Sequence, residues 1–278
     1  MKQREIKVKD LVFSNSGSLS YIAGPCVIET EASYARLARE LKSIFSSLNT
    51  PFVLKASFDK ANRTSHSSFR GIGPRAALPF LKNLKKRLNL PLLIDVHEPA
   101  QAVKAADAAD ILQVPAFLCR QTDLLYACAD TGLAVNVKKG QFLSPWEAEH
   151  IVKKLESRGA RRIMLTERGS SFGYSNLVVD MRSLEVMKGF GYPVIFDCTH
   201  SVQRPGGLGG ASGGDVRFAL PLAKAAAILK IAGVFFETHP EPGKALSDGP
   251  NSLKLSAVKR VVSTLNSVDR LALKLGNY

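Results

Sequence analysis

The sequence predicts a single closed (β/α)8 TIM barrel carrying a short β extension at its N-terminus. Three observations carry that prediction. Eight short runs rich in Val, Ile and Leu recur along the chain, each followed by a polar or Gly-rich turn and then a stretch with helical periodicity. Parallel strands need such crossovers, and eight strand-then-helix units are the number that closes a barrel. The length of 278 residues, 45% of them hydrophobic, suits one barrel domain spanning 1–278. The alternative is an open doubly wound sheet, but no G-x-G-x-x-G turn follows the first strand to support it.

In chain order, residues 6–13 alternate apolar and polar as a strand does and residues 14–20 form a small-residue turn, so 1–20 is expected to be a hairpin or cap closing one end of the fold. The first barrel strand is the run at 21–23, ahead of a helix over 31–48. The second, at 52–54, leaves through a basic segment from Lys55 to Arg70 before a helix over 75–88. Strands at 92–95 and 111–114 precede helices over 99–108 and 121–131. Those at 134–137 and 162–165 precede helices over 145–158 and 183–189, the latter short and reached by a longer loop. Strands at 194–196 and 233–236, with helices over 215–229 and 255–275, complete the eight units.

Lys and Arg number 38 against 24 Asp and Glu, a formal net charge of +14 that points to an anionic partner, either nucleic acid or small phosphorylated molecules. No helix-turn-helix, RNP-type aromatic motif or basic block is present, which sets nucleic acid aside. No apolar run approaches the roughly 20 residues that cross a bilayer, and Met1 to Glu5 lacks the apolar core of a signal peptide. A cytoplasmic protein with no membrane partner is therefore expected. Cys26, Cys119, Cys128 and Cys198 stand apart with no C-x-x-C pair, which argues against a structural zinc site and a disulfide framework.

Active sites in this fold gather at the face where strands run into the following helices. Polar residues stand just past every strand: Cys26 and Glu29 after the first, then Lys55, Lys60, Asn62 and Arg63 after the second, and Asp95, His97 and Glu98 after the third. Gln113 and the segment from Pro115 to Arg120 follow the fourth, Asn136, Lys138 and Lys139 the fifth, and Glu167 and Arg168 the sixth. The seventh supplies Asp197 and His200 and a Gly-rich loop over 205–214; the eighth ends in Glu237, His239 and Glu241, with Asp248 farther on. A solvated loop charge explains any one of them. Opposite connections such as 89–91 are plainer, so the set as a whole predicts a site.

Lys55, Lys60, Lys138 and Arg168 would bring four cations around one cavity, and a phosphate and a carboxylate would relieve their repulsion. Cys26, His200, Glu237 and Asp248 offer a ligand set suited to Zn²⁺ or Fe²⁺ rather than Mg²⁺. Taken singly, Cys26 also reads as a small buried hydrophobe and His200 as a hydrogen-bonded loop histidine. His97 reads as a substrate donor or a metal neighbour, His150 as a surface residue of its helix, and His66 as either a site residue or a loop residue.

Long segments of the chain resemble the 3-deoxy-D-manno-octulosonate 8-phosphate synthase family: Ile22 to Glu29, Ser57 to Arg63, Pro115 to Leu124, Asn136 to Phe142, Thr166 to Gly169, Phe172 to Leu177, Thr199 to Gln203 and Glu237 to Pro242. The resemblance implies a barrel enzyme, usually a homotetramer. Its members condense phosphoenolpyruvate with D-arabinose 5-phosphate and water to an eight-carbon sugar acid phosphate and inorganic phosphate, for lipopolysaccharide-type sugar biosynthesis.

It also implies roles. Lys55, Lys60, Gln113, Lys138 and Arg168 match positions that bind phosphoenolpyruvate, Asn62, Arg63, Thr64 and Ser65 match the stretch that receives the pentose phosphate, and Ala116 is a further expected substrate-binding position. Asp95 and His97 match residues near the reacting centre, and Lys60, Lys138 and His200 join them as expected catalytic groups. Metal-dependent members carry Cys where Cys26 stands, so Cys26, His200, Glu237 and Asp248 are expected to hold a divalent metal, Zn, Fe or Mn. Three positions depart from the common pattern. Cys198 stands where many relatives carry Ala and is either a packing change or a thiol close to the metal. Arg204 replaces a more apolar residue, and the segment Leu246 to Asn251 mixes features of the metal-dependent and metal-independent classes.

Overall fold

A computed structural model of the chain describes residues 2–63, 65–207 and 213–276. The chain opens with an antiparallel hairpin, β1 (Ile6–Val8) and β2 (Leu11–Phe13). Barrel strands follow as β3 (Ser20–Gly24), β4 (Phe52–Ala56), β5 (Leu92–Asp95), β6 (Ile111–Val114), β7 (Ala134–Lys138) and β8 (Ile163–Glu167). A small ladder of β9 (Ser170–Ser171) with β10 (Leu177–Val178) precedes barrel strand β11 (Val194–Asp197), and another of β12 (Gln203–Arg204) with β13 (Gly213–Gly214) precedes barrel strand β14 (Gly233–His239). The short strand β15 (Leu253–Lys254) runs parallel to the end of β14. Each barrel strand pairs in parallel with the next, and β14 pairs with both β11 and β3, so the ring of eight is closed. The barrel read from the sequence is the fold.

Among the described residues, eight helices jacket it: α1 (Glu31–Ser47), α2 (Gly73–Leu88), α3 (Pro99–Ala105), α4 (Thr122–Asp130), α5 (Ala148–Ser157), α6 (Arg182–Lys188), α7 (Ala219–Ile228) and α8 (Val258–Leu275). Their ends follow local chemistry. Thr30 caps α1 by accepting a hydrogen bond from the Ser33 amide at 3.1 Å. Asn89 ends α2 in the left-handed region, at φ 49°. The segments expected to begin helices at 215 and 255 start instead as 3-10 turns, Val216–Phe218 and Leu255–Ala257, ahead of α7 and α8.

Side chains alternate along each strand, one row facing the helices and the other the barrel axis. The inner row begins as an apolar floor. Ile22, Val53, Leu93, Ile111, Ala134, Met164, Ile195 and Phe235 form one cluster with Ile6, Val8, Leu11 and Phe13 of the hairpin, which stoppers the barrel from below. Asn15 fastens the stopper: its amide donates to the Tyr192 carbonyl and accepts from the Val194 amide, both at 2.9 Å. Two residues farther along the strands, the inner row turns polar at Lys55, Asp95, Gln113, Asn136, Thr166, Asp197 and Glu237, all of them buried. The corresponding residue of β3 is Gly24, where a side chain would meet the Lys55 carbonyl oxygen at 2.2 Å.

Candidate active site

A cavity of about 710 Å³ opens above this polar layer, at the ends of the strands. Its first wall is built by β4 and its loop. Lys55, with 1% of its surface exposed, donates to the carbonyls of Pro25 and Cys26 at 2.9 and 2.6 Å and to Glu237 Oε1 at 2.8 Å. Its ammonium is therefore fully used by the protein, and it pins the first loop to β14. Lys60 reaches Asp95 Oδ2 at 3.3 Å, and the same oxygen accepts from Ser57 at 2.9 Å. Burial alone would raise the Asp95 carboxyl, but the ammonium groups of Lys60 and Lys55 outweigh it and hold the group below the usual range. His97 lies with Nε2 3.8 Å from Asp95 Oδ2, and its burial lowers its pKa, so it is neutral at pH 7.

The opposite wall is organised by Asp197. Oδ1 accepts from the backbone amides of Thr199 and His200 and from the Thr199 hydroxyl, while Oδ2 meets Lys138 Nζ at 2.6 Å and His200 Nδ1 at 2.7 Å. Burial opposes ionisation of this carboxyl, yet the His200 imidazole and the Lys138 ammonium beside it, with these hydrogen bonds, keep it well below the usual range. A carboxylate at Nδ1 assigns the imidazole proton to that nitrogen and leaves the Nε2 lone pair facing the cavity. Nε2 is 3.6 Å from Glu237 Oε2 and 3.9 Å from Asp248 Oδ2. Lys138 also stands 3.7 Å above the Phe235 ring, a cation–π contact that fixes its direction.

Cys26, Glu237 and Asp248 complete the site as a candidate metal-binding triad, with one ligand atom of each within 4.8 Å of the others. Burial, then the Asp248 and Glu237 carboxylates, push the Cys26 thiol well above its ordinary value. A cation among these donors reverses that, since thiolate is the ligating form. The donor chemistry therefore fits a divalent ion with affinity for sulfur, nitrogen and oxygen.

The DAHP synthetase I family matches residues 5–274 of the chain. The chain belongs to that family. It is 52% identical over 268 residues to the 2-dehydro-3-deoxyphosphooctonate aldolase of Geobacter metallireducens, covering 96% of this chain and 98% of that protein. The proteins of the same name from Desulfatibacillum aliphaticivorans and Bartonella tribocorum are 54% and 50% identical, over 91% and 97% of this chain and 93% and 97% of their own lengths.

Against this family background, the residues singled out in the sequence fall into distinct groups. Lys55, Lys60, Asp95, His97, Gln113, Lys138, Arg168, His200, Glu237 and Asp248 all line the one cavity, joined by Asn62, Arg63 and Ala116 at its edge. Cys26 lies beneath it, buried, against Asp248. Thr64 lies outside the described residues. Others that looked equivalent in sequence serve the scaffold. Lys139 is buried against Ser170 and Glu167, and Glu167 accepts from the amides of Arg168 and Gly169 to shape the turn after β8. His66 and His150 are exposed. Cys198 belongs to the hydrophobic layer between barrel and helices, which makes it a packing residue, and Arg204 is exposed on β12.

Three participants were given no role from the sequence. Asp197 was gathered there only as a polar residue past the seventh strand, and its place two residues beyond Ile195 on an inward row is what makes it the organising carboxylate. Ser247 sits on a loop and Gln203 on the short strand β12, and only the folded path brings them to the site.

Proposed function

We propose that this chain condenses phosphoenolpyruvate with D-arabinose 5-phosphate and water to 3-deoxy-D-manno-octulosonate 8-phosphate and inorganic phosphate. Its similarity, from end to end, to relatives named 2-dehydro-3-deoxyphosphooctonate aldolase supports the reaction. The observation that carries the assignment of the site is the gathering of Lys60, Lys138, Arg63 and Arg168 around one cavity, since two phosphorylated substrates must be held side by side. Buried nitrogens without a protein partner, Nη2 of Arg63 and Nη1 of Arg168, leave both arginines with a donor for a ligand.

In this reading Arg168 and Lys138 hold phosphoenolpyruvate, and Asn62, Arg63 and the adjoining residues Thr64 and Ser65 hold the pentose phosphate. Gln113 lines the same face as part of a chain in which Thr166 donates to Asn136 and Asn136 to Gln113, at 2.7 and 3.0 Å. The enol carbon bonds to the aldehyde carbon, water adds at C2, and phosphate leaves by C–O cleavage. Lys60, held above its ordinary pKa because its carboxylate neighbours outweigh its burial, stays charged and offsets the repulsion between the two dianions. His97, neutral with Nδ1 unpartnered, and Asp95 beside it are placed to move protons at the reacting centre.

Cys26, His200, Glu237 and Asp248 would hold a divalent ion, Zn, Fe or Mn. Bound there, it would supply Lewis acidity toward the acceptor aldehyde or toward water. No described helix is long and apolar enough to cross a membrane. We place the chain in the cytoplasm as one barrel domain assembled into a homotetramer.

The test incubates phosphoenolpyruvate with arabinose 5-phosphate or erythrose 4-phosphate, with and without chelator, and follows loss of the enol absorbance. Consumption with arabinose 5-phosphate that stops on chelation is expected. Preference for the four-carbon acceptor, or no turnover with either, would discard the proposal.

A further inference from the structure

The two arginines assigned to the substrates do not merely face the cavity. Each is tied, through a single uncharged side chain, to the Cys26–Asp248 pair. Arg63 Nη1 donates to Ser247 Oγ at 2.6 Å, and Ser247 Oγ lies 2.7 Å from Cys26 Sγ, which donates to Asp248 Oδ2 at 3.1 Å. On the other side, Arg168 Nη2 donates to Gln203 Oε1 at 2.9 Å, and Gln203 Nε2 donates to Asp248 Oδ1 at 3.0 Å. Guanidinium only donates and carboxylate only accepts, so every hydrogen bond in both chains has one direction. Arg63 must give to Ser247, which leaves the serine proton for the sulfur, and the Gln203 amide is locked in one orientation.

The geometry is confined. Ser247 is buried, with 6% of its surface exposed, and Asp248 holds φ 49°, a left-handed conformation uncommon outside glycine. Gly249 follows because any side chain there would meet the Pro242 carbonyl oxygen at 2.3 Å. The loop is thus folded tightly enough to present Ser247 and Asp248 to opposite arginines at once. The segment lies within Leu246 to Asn251, where the sequence mixes features of the metal-dependent and metal-independent classes.

We infer that Ser247 and Gln203 are positioning residues that couple the two substrate-binding arginines to the metal-binding pair Cys26 and Asp248, Ser247 for the pentose phosphate and Gln203 for phosphoenolpyruvate. The inference rests on the arginine roles proposed above. A hydroxyl donating to a ligating thiolate and an amide donating to a ligating carboxylate each orient their ligand, and removing such partners costs about 10- to 100-fold in metal affinity. Coupling is reciprocal, so a phosphate drawn onto Arg63 must alter metal affinity by the factor by which metal alters phosphate affinity.

The experiment measures Zn²⁺ affinity by competition with a chromophoric chelator, and separately the KM for each substrate, in the wild type, Ser247→Ala, Ser247→Thr and Gln203→Ala. Ser247→Ala is expected to weaken Zn²⁺ about 10- to 100-fold and to raise the KM for arabinose 5-phosphate severalfold while leaving that for phosphoenolpyruvate unchanged. Gln203→Ala should weaken Zn²⁺ and raise only the KM for phosphoenolpyruvate, and Ser247→Thr should restore the hydroxyl's effects. In the wild type, saturating arabinose 5-phosphate should shift Zn²⁺ affinity, a shift that Ser247→Ala abolishes. Zn²⁺ affinity within twofold of wild type in the variants, or both KM values moving together, would overturn the inference. Gln203 is half-buried on the two-residue strand β12, outside the barrel, so its variant decides the matter even if Ser247→Ala fails to fold. If the wild type turns over neither substrate pair, Zn²⁺ affinity with inorganic phosphate as the probe still tests the coupling, and the failure belongs to the proposed reaction alone.

Discussion

The floor and the mouth of this barrel are made from the same eight strands, yet they obey opposite rules. At the floor, Val53, Leu93, Met164, Ile195 and Phe235 close on Leu11 and Phe13 of the hairpin, and no group there needs a partner. Two residues later on those strands stand Lys55, Asp95, Thr166, Asp197 and Glu237, each buried and each hydrogen-bonded or ion-paired to a neighbour. Burial of charge is costly unless every charge is paired, so the mouth must be assembled as a complete network, whereas the floor tolerates change in proportion to volume. Stability is spread over the floor; function and its electrostatic cost are concentrated at the mouth.

The largest effect is expected from Asp197→Ala, which leaves Lys138 and His200 without their shared carboxylate. Breaking a buried pair of this kind should cost about 3–5 kcal/mol, read as a lower urea midpoint, and activity should fall with it. Lys60→Ala, at the more open edge of the mouth, should weigh more on activity than on stability: kcat/KM falls by about 100- to 1,000-fold, as for removal of one oriented electrostatic donor, while the stability lost at pH 7 is smaller than in Asp197→Ala because Lys55 and Ser57 still face Asp95.

The same variant should change the acid limb of unfolding. Asp95 has a lowered folded pKa, so its stabilising contribution is present above its unfolded value of about 3.9 and is lost as pH falls through the folded value. Removing Lys60 raises that folded value, and acid unfolding should begin at a higher pH. An acid limb identical to wild type would show that Lys60 does not set the Asp95 charge.

At the floor, Leu11→Ala should cost about 2–3 kcal/mol by large-to-small truncation while kcat and both KM values of the folded enzyme remain within twofold of wild type. Altered kinetics would break the division between the two ends. The smallest effect belongs to Asp269, which accepts from the Leu19 amide at 3.0 Å where the chain enters β3. Burial raises its folded pKa, so it favours folding most when protonated, below its unfolded value, and that advantage disappears as pH rises through the folded value. Asp269→Asn keeps an acceptor without the charge and should stabilise by less than about 1 kcal/mol at pH 7, with no gain below pH 4, as thermal melts at the two pH values would report.

The barrel was legible because parallel strands buried on both faces read as continuous apolar runs, punctuated at intervals that leave room for one helix. The polar mouth was legible for a related reason, since the step from Val53 to Lys55 or from Phe235 to Glu237 is one full strand period and keeps the side chain on the same face. Period also explains what misled. Lys138 and Lys139 are neighbours of identical chemistry, but alternation sends one into the cavity and the other beneath the β9 turn. Cys198 follows the inward Asp197 and so points to the helices rather than to Cys26. Ser247 and Gln203 obey no period. They reach Cys26 and Arg168 across 221 and 35 positions of sequence, and nothing local encodes such a path.

The hairpin beneath the barrel has a kinetic meaning as well as a structural one. Ile6, Val8, Leu11 and Phe13 meet the inner-row side chains of the strands at the lower end, and apolar surface taken from water there stabilises by about 25 cal/mol per Å². A nucleus in which residues 6–13 have already closed on Val53, Ile195 and Phe235 must therefore bring together strands far apart in sequence, so Leu11→Ala is expected to slow folding as well as to lower stability, as stopped-flow refolding would show.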